Sequence, residues 1–207
     1  MTKRIGLFGG TFDPPHVGHL ALAEWAREAL RLDRVLFVPA GRPPHKGRAR
    51  LTGVAHRVAM TRLAVRGERA FTVSAIEARR DGPSFTVDTL RALRRRAPRV
   101  RIFLLMGADS LEEFHTWRDP AGIQAMATLV VADRPGASAR GAAAARRARR
   151  PVRPPGVPGA RRVVWLENPA LEVSSSAIRA RLRAGRTVRY LIPDAVVRYI
   201  ARHRLYR

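Results

Sequence analysis

Two histidines separated by three positions, His16 and His19, are the residues of this chain best suited to binding an anion. Residues three apart lie on one face of a helix, so both imidazoles could contact the same phosphate group. Gly9 and Gly10 precede them and would let a ligand approach the main chain without a Cβ in the way. A helix N-terminus adds unpaired N–H groups and the positive end of a dipole. Residues 9–19 therefore predict a phosphate site.

Two other interpretations of the histidines compete with phosphate binding. A His-x-x-His spacing also suits a metal ion, and a structural turn with surface imidazoles needs no ligand. A zinc site is disfavoured because the chain has no cysteine and no glutamate directly after His16. A hydride-transfer enzyme is disfavoured because Gly6, Gly9 and Gly10 do not have the G-x-G-x-x-G spacing.

The elements that must position this motif alternate along the chain. Residues 4–8 read as a buried strand, and apolar residues at helical spacing follow the motif. Further strands are predicted at 35–40, 71–74, 101–107 and 163–167, and further helices at 56–65 with Thr52 as a cap, 84–96, 177–182 and 193–206. Strand 101–107 reads as the central returning strand. The alternation predicts an α/β, Rossmann-like doubly wound fold, with a mainly parallel sheet and helices on both faces.

In such sheets, ligands gather at the carboxyl ends of the strands. The segments ending at Gly10, 40–46 and 107–109 should therefore line one cleft. Three serines at 174–176 are predicted to cap the helix at 177–182, with Arg179 in its first turn. Hydroxyls, helix N–H groups and a guanidinium together predict a second anion site.

Length and composition favour one globular domain over 1–207, because 207 residues with 46% hydrophobic content can bury a core. The absence of cysteine excludes disulfides, and no apolar stretch reaches membrane-spanning length, so the sequence predicts a cytoplasmic protein without a membrane partner. Residues 134–162 contain nine arginines and no acidic residue. We therefore expect an excursion from the core at 137–162.

The formal charge of +24 raises the alternative of a basic nucleic-acid-binding protein. Only Lys3 and Lys46 are lysines among 40 basic residues, which indicates a compositional bias towards arginine. The basic residues are spread over predicted helix faces, without an interleaved RNA-binding aromatic motif. Examples are Arg27, Arg31, Arg57, Arg62, Arg91 and Arg94–Arg96. The sequence therefore predicts no specific nucleic-acid partner.

The run GGTFDPPHVGH at 9–19 resembles the signature of the HxGH nucleotidyltransferase superfamily. Other motifs resemble those of the bacterial nicotinate-nucleotide adenylyltransferases: PPHK at 43–46, SFTVDTL at 84–90, LLMGADSLEEFHTW at 104–117, VADRPG at 131–136 and VSSSAIR at 173–179. Phe85 replaces a common tyrosine and Val173 a common isoleucine, and neither change removes a charged group. Pantetheine-phosphate adenylyltransferase is the alternative enzyme, but it would lack the second and third of these motifs.

The resemblance implies transfer of AMP from ATP to nicotinate mononucleotide in NAD biosynthesis, with Mg²⁺ held mainly by substrate phosphates and no metal site of the protein itself. It implies His16, His19, Lys46 and Arg179 as catalytic residues. The implied ATP-binding residues are Gly9, Gly10, Thr11, Phe12, His16, His19, Gly107, Asp109, Ser174, Ser175, Ser176 and Arg179. The implied nicotinate mononucleotide-binding residues are Asp13, Lys46, Thr86, Trp117 and Arg134. The choice between nicotinate and nicotinamide mononucleotide, and homo-oligomer formation, stay open.

Overall fold

A computed structural model describes residues 2–44, 51–132, 154, 156, 157, 159, 163–166 and 171–207. Six strands form one parallel sheet: β1 (Arg4–Gly10), β2 (Arg34–Pro39), β3 (Phe71–Val73), β4 (Arg101–Gly107), β5 (Ala127–Ala132) and β6 (Val164–Leu166). The helices are α1 (Val17–Ala29), α2 (Val54–Ala64), α3 (Thr86–Arg96), α4 (Ala108–Glu112), α5 (Pro120–Met126), α6 (Ser175–Arg183) and α7 (Asp194–Arg202), with a 3₁₀ turn at Phe114–Thr116. The excursion predicted at 137–162 lies almost entirely outside the described residues.

The strand order is β3-β2-β1-β4-β5-β6, and every pair is parallel. The order changes direction between β1 and β4, which lie side by side although α1 to α3 separate them in sequence. A crevice opens at the carboxyl edge of a doubly wound sheet at such a point. The predicted fold class is confirmed, as is the central place of the strand at 101–107.

Both faces of the sheet are buried. In β1 the side chain of Leu7 joins a core with α3, α4 and α5, whereas Phe8 joins a second core with α1. Leu104 and Leu105 of β4 divide in the same way. Strands covered on both faces are apolar throughout, because neither set of side chains meets water. Helices therefore lie on both faces, as the sequence predicts.

A third core joins α2, α6 and α7 at one side of the sheet. It contains Met60 of α2, Ile178 of α6 and Val196 of α7, with exposures of 0%, 0% and 0%. This cluster attaches the last two helices, and with them the chain after residue 171, to the part of the molecule that carries β1 and α1. No described helix has both the length and the apolar composition needed to cross a membrane.

The structure corrects several details of the sequence prediction. Strand β5 and helices α4 and α5 were not predicted, because their apolar runs are short and carry no clear period. The N-cap residue of α2 is Gly53 rather than Thr52, so no side chain caps this helix. The last helix ends at Arg202 rather than at 206.

Candidate active site

A cavity of about 390 Å³ opens at the carboxyl edge of the sheet. Its wall includes the ends of β1 and β4 and the loop that follows β2, so the three segments predicted to converge do so. The predicted site residues that line it are Gly9, Gly10, Thr11, His16, His19, Thr86, Gly107, Asp109 and Trp117. The cleft itself is thereby confirmed, whereas the role of each residue in it stays a prediction.

His16 and His19 form a stacked pair at the start of α1. Their ring centroids lie 3.6 Å apart with the planes at 33°. The backbone N–H of His16 donates to His19 Nδ1 at 3.1 Å. Because Nδ1 accepts this bond, a neutral His19 carries its proton on Nε2. His16 is 2% exposed, while His19 is half-buried. The pair therefore faces the cavity with one buried imidazole and one more open one.

The two glycines of the motif, Gly9 and Gly10, have different surroundings. An added Cβ at Gly9 would meet nothing within 4 Å, so its backbone borders open space in the cavity. An added Cβ at Gly10 would lie 2.9 Å from the ring of Phe12. The left-handed backbone in this turn belongs to Phe12 (φ 49), not to either glycine. Close ligand approach is therefore possible at Gly9, while Gly10 accommodates a buried aromatic ring.

Phe12 is a buried residue whose ring packs against His19. It is 1% exposed, and its ring centroid lies 5.0 Å from that of His19 in an edge-to-face contact. Such contacts orient a ring as well as burying it. Phe12 was predicted to bind ATP, and the structure places it outside the cavity wall, in contact with His19.

Two backbone N–H groups in the first turn of α1 already have hydrogen-bond acceptors within the protein. The N–H of Val17 donates to the Leu191 carbonyl at 3.0 Å, and that of His19 to the His16 carbonyl at 2.9 Å. The sequence predicts unpaired N–H groups at this helix start, but these two N–H groups both have acceptors. The groups of α1 that remain suited to an anion are the two imidazoles and the positive end of the helix dipole.

The opposite part of the cavity wall is built by α3 and by the 3₁₀ turn. Thr86 is the first residue of α3, and it lines the cavity. Trp117 follows the 3₁₀ turn, and its ring lies 5.4 Å from that of the fully buried Phe114. One part of the indole thus packs against the core while another lines the cavity.

A buried polar cluster in the cavity wall was missed by sequence reasoning. Glu77 is 7% exposed and accepts a hydrogen bond from Thr89 Oγ1 at 2.6 Å. Ser84 also donates to Glu77, and its Oγ accepts the N–H groups of Gly41 at 2.9 Å and Arg42 at 3.2 Å. Burial raises the pKa of Glu77 above its ordinary value, despite these two donors and nearby positive charge. The cluster joins the loop after β2 to the start of α3.

The start of α6 lies beside the motif rather than in the cavity wall. Ser174 caps the helix by accepting the N–H of Ala177 at 3.2 Å, while Ser175 and Ser176 are its first two residues. Ser175 Oγ donates to the Pro14 carbonyl at 2.9 Å. The serines were predicted to cap the helix jointly, and only Ser174 does so.

Arg179 contacts the same stretch of backbone. Its Nη1 donates to the Asp13 carbonyl at 2.7 Å. Neither Arg179 nor the three serines line the cavity, although Val173 just before them does. The structure therefore places this candidate anion site next to the β1–α1 turn, at the border of the cavity.

Asp13 and Arg57 form a buried frame under the turn at residues 11–14. Asp13 is 1% exposed, and its Oδ2 accepts the N–H of Thr52 at 3.2 Å. It does not line the cavity, although it was predicted to bind nicotinate mononucleotide. Arg57 is 2% exposed and donates to the carbonyls of Thr52, Thr11 and Gly41 at 2.9, 2.9 and 3.0 Å. Burial lowers the pKa of Arg57, and the Asp13 carboxylate opposes that shift.

Arg57 therefore corrects the picture of arginines spread over solvated helix faces. Its signal was the spacing on α2, because Arg57 shares a helix face with the buried residues Met60, Thr61 and Ala64. Two other predicted site residues, Lys46 and Arg134, lie outside the described residues.

The chain matches the model of the cytidylyltransferase-like family over residues 7–181. It is 46% identical over 206 residues to a Thermomicrobium roseum protein named "Probable nicotinate-nucleotide adenylyltransferase", covering 99% of this chain and 92% of that protein. A protein of the same name from Thermus thermophilus is 46% identical over 204 residues, covering 99% and 100% of the two chains.

Solved structures with the same fold show lower identity. The Plasmodium falciparum nicotinic acid mononucleotide adenylyltransferase complexed with NaAD has a TM-score of 0.77 at 16% identity, covering 99% of this chain and 97% of that one. A crystal structure described as a putative nicotinate-nucleotide adenylyltransferase from Vibrio parahaemolyticus has a TM-score of 0.69 at 17% identity, covering 100% and 96%. With the family model and the full-length relatives, the chain therefore belongs to the cytidylyltransferase-like family and, within it, to the nicotinate-nucleotide adenylyltransferases.

Proposed function

We propose that this protein transfers AMP from ATP to nicotinate mononucleotide, forming nicotinate adenine dinucleotide and pyrophosphate in NAD biosynthesis. One observation carries the proposal: a single cavity is lined by His16 and His19 on one element and by Thr86 and Trp117 on others. The two histidines suit the phosphates of ATP. Trp117 and the helix start at Thr86 suit an aromatic ring that carries a carboxylate. The names of the full-length relatives support the same reaction.

The reaction joins two phosphates. An oxygen of the nicotinate mononucleotide phosphate attacks the α-phosphorus of ATP, the new P–O bond forms, and the bond from that phosphorus to the bridging oxygen of the β-phosphate breaks. Because a phosphate monoester has a second pKa near ~6, the attacking group is already largely a dianion at neutral pH and needs no general base. Pyrophosphate leaves with the electron pair of the broken bond.

The task left to the protein is to align the phosphates and to stabilise the growing negative charge. His19 Nε2–H is oriented by the bond that His19 Nδ1 accepts, and it supplies one donor for the α-phosphate. His16 is held against it in the stack. Arg179 and the serine-capped start of α6 border the same turn, so we assign them to the leaving pyrophosphate.

The acceptor is assigned to the other end of the cavity. Trp117 offers an aromatic face for the pyridine ring, and the helix start at Thr86 offers N–H groups for the nicotinate carboxylate. Asp109 lies at the end of β4 and could accept hydrogen bonds from ribose hydroxyls. We propose Lys46 as a further cation of the site on the resemblance alone.

We propose that Mg²⁺ enters as part of Mg-ATP, where it would offset the negative charge of the triphosphate. Mg²⁺ commonly binds substrate phosphates and waters with few protein ligands. Within the described residues, no group of three or more histidine, aspartate or glutamate side chains is placed to hold an ion.

The test measures pyrophosphate release from Mg-ATP with nicotinate mononucleotide, nicotinamide mononucleotide or phosphopantetheine supplied separately. For His19→Ala we expect kcat to fall roughly 100-fold or more, as when a donor to transition-state charge is removed. His56→Ala is the matched control, because His56 lies in α2 and contacts Tyr199 rather than the cavity.

Turnover with nicotinate mononucleotide that is lost in His19→Ala and kept in His56→Ala supports the proposal. Preferential turnover with phosphopantetheine would replace the acceptor. No turnover with any acceptor, in a protein that melts cooperatively, would refute the reaction.

A further inference from the structure

The chain after α7 folds back onto the active-site turn. Tyr206 adopts a left-handed backbone conformation (φ 64), and its hydroxyl donates to Asp13 Oδ1 at 2.6 Å. The contact joins two residues 193 positions apart. It ties the penultimate residue of the sequence to the loop that connects β1 and α1.

This hydrogen bond completes a set of contacts around the 11–14 turn. Asp13 accepts from Thr52 through its other carboxylate oxygen, and Arg179 donates to the Asp13 carbonyl. Arg57 donates to the Thr11 carbonyl. Tyr206 is the member of this set that comes from the end of the chain, and it meets the carboxylate in the interior.

The turn has no freedom to move without moving the histidines. His16 follows it after Pro14 and Pro15, which are both buried. A carboxylate that is 1% exposed needs donors for its oxygens, since burying it unpaired is costly. Burial and the Asp13 carboxylate both raise the pKa of Tyr206, so its hydroxyl stays a donor across the physiological range.

We propose that Tyr206 is a positioning residue for the phosphate-binding turn, holding Asp13 so that His16 and His19 keep the geometry needed for AMP transfer. The inference rests on the function proposed above for these histidines. It goes further by assigning an active-site role to a residue that lies outside the cavity and far from the motif in sequence.

Tyr206→Phe removes only the hydroxyl and is the test variant. Tyr199→Phe is its matched control, because Tyr199 also lies in the C-terminal part of the chain and its hydroxyl contacts His56 Nδ1 at 3.0 Å instead. Because small displacements of catalytic groups lower rates strongly, we expect kcat of Tyr206→Phe to fall about 10-fold. The KM for nicotinate mononucleotide should change less than about 2-fold, since uniform binding to its part of the site is untouched.

Hydrogen–deuterium exchange in the substrate-free proteins gives a second readout that does not depend on turnover. Peptides covering residues 11–19 should exchange faster in Tyr206→Phe than in the wild type and in Tyr199→Phe, because the turn opens locally more often. Peptides from α3 should exchange at the same rate in all three proteins.

Faster exchange at 11–19 together with the selective loss of kcat supports the inference. Unchanged exchange there, unchanged kcat, or equal effects in both variants would overturn it. If the wild type shows no turnover, the proposed reaction fails, and the exchange result alone decides whether Tyr206 positions the turn.

Discussion

Glu77 shows how a single buried carboxylate can make stability depend on pH. Burial raises its pKa above the ordinary value of 4.5, so the folded protein binds this proton more tightly than the unfolded chain does. Its contribution to stability is therefore fully present below the ordinary pKa and is lost as the pH rises through the raised folded value. Above the raised pKa a charged Glu77 costs stability, because its carboxylate is desolvated by burial, although it still accepts hydrogen bonds from Ser84 and Thr89.

We therefore predict that Glu77→Gln is stabilised relative to the wild type by an amount that grows as the pH rises from about 4 through the raised pKa of Glu77. The amide keeps an acceptor oxygen for Thr89 but has no charge to desolvate. Thermal melts across this pH range measure the difference. Glu28→Gln, on the exposed part of α1, is the control for loss of one negative charge.

A variant that becomes less stable as the pH rises would contradict this prediction. It would mean that attraction to Arg80, which favours the charged form of Glu77, outweighs the cost of burial.

At the scale of elements, the two adjacent glycines at the end of β1 have different surroundings. A Cβ at Gly10 would meet the Phe12 ring at 2.9 Å, whereas a Cβ at Gly9 would enter open space. We predict that Gly10→Ala destabilises the protein by roughly 1–3 kcal/mol, as overpacking of a core does. Gly9→Ala should melt near the wild-type temperature, yet show a raised KM for ATP.

Urea titrations and ATP-dependent initial rates distinguish the two variants. Equal loss of stability in both would show that the turn tolerates no side chain at either position. A normal KM for ATP in Gly9→Ala would remove Gly9 from the proposed ATP site.

The sequence was a good guide to elements with a strong pattern. Strand β4 is a continuous apolar run and helix α3 has eleven residues with a helical period, and both were predicted within two residues of their ends. Strand β5 has six residues and α5 has seven, too few to show a period in isolation. Tertiary contacts set those elements, through pairing with β4 and packing under the sheet.

The same limit applies to the site. Residue types and spacing placed His16 and His19 at a phosphate-binding cleft, because they follow a predictable strand and begin a predictable helix. Thr86 and Trp117 were assigned to the site through the family resemblance, and the structure places them in the same cavity wall. Arg57 and Tyr206 could not be placed in this way. The spacing on α2 indicates that Arg57 is buried, but no local pattern identifies the partners of either residue, which are backbone carbonyls and a carboxylate.

At the scale of the whole molecule, the charge of +24 makes a prediction about salt. With 40 basic and 16 acidic residues, most arginines cannot have an acidic partner. We expect single-stranded DNA to bind at low salt without sequence preference, to dissociate by about 0.3 M salt, and to bind His19→Ala equally well. Fluorescence anisotropy against salt concentration measures this.

Tight binding that persists at high salt, or that prefers one sequence, would restore the nucleic-acid interpretation of the basic surface. Competition by ATP alone would not, because ATP is itself a polyanion.

The strand order also has a consequence for folding during synthesis. Strand β1 is synthesised first, but its second neighbour β4 ends at Gly107, 97 residues after Gly10. At about 5–20 residues per second, roughly 5–20 s pass before that strand emerges. During this time a strand that is apolar on both faces stays half-covered. The contacts of Arg179 and Tyr206 with residue 13 form later still, so the β1–α1 turn is the part of the molecule whose contacts are completed last during synthesis.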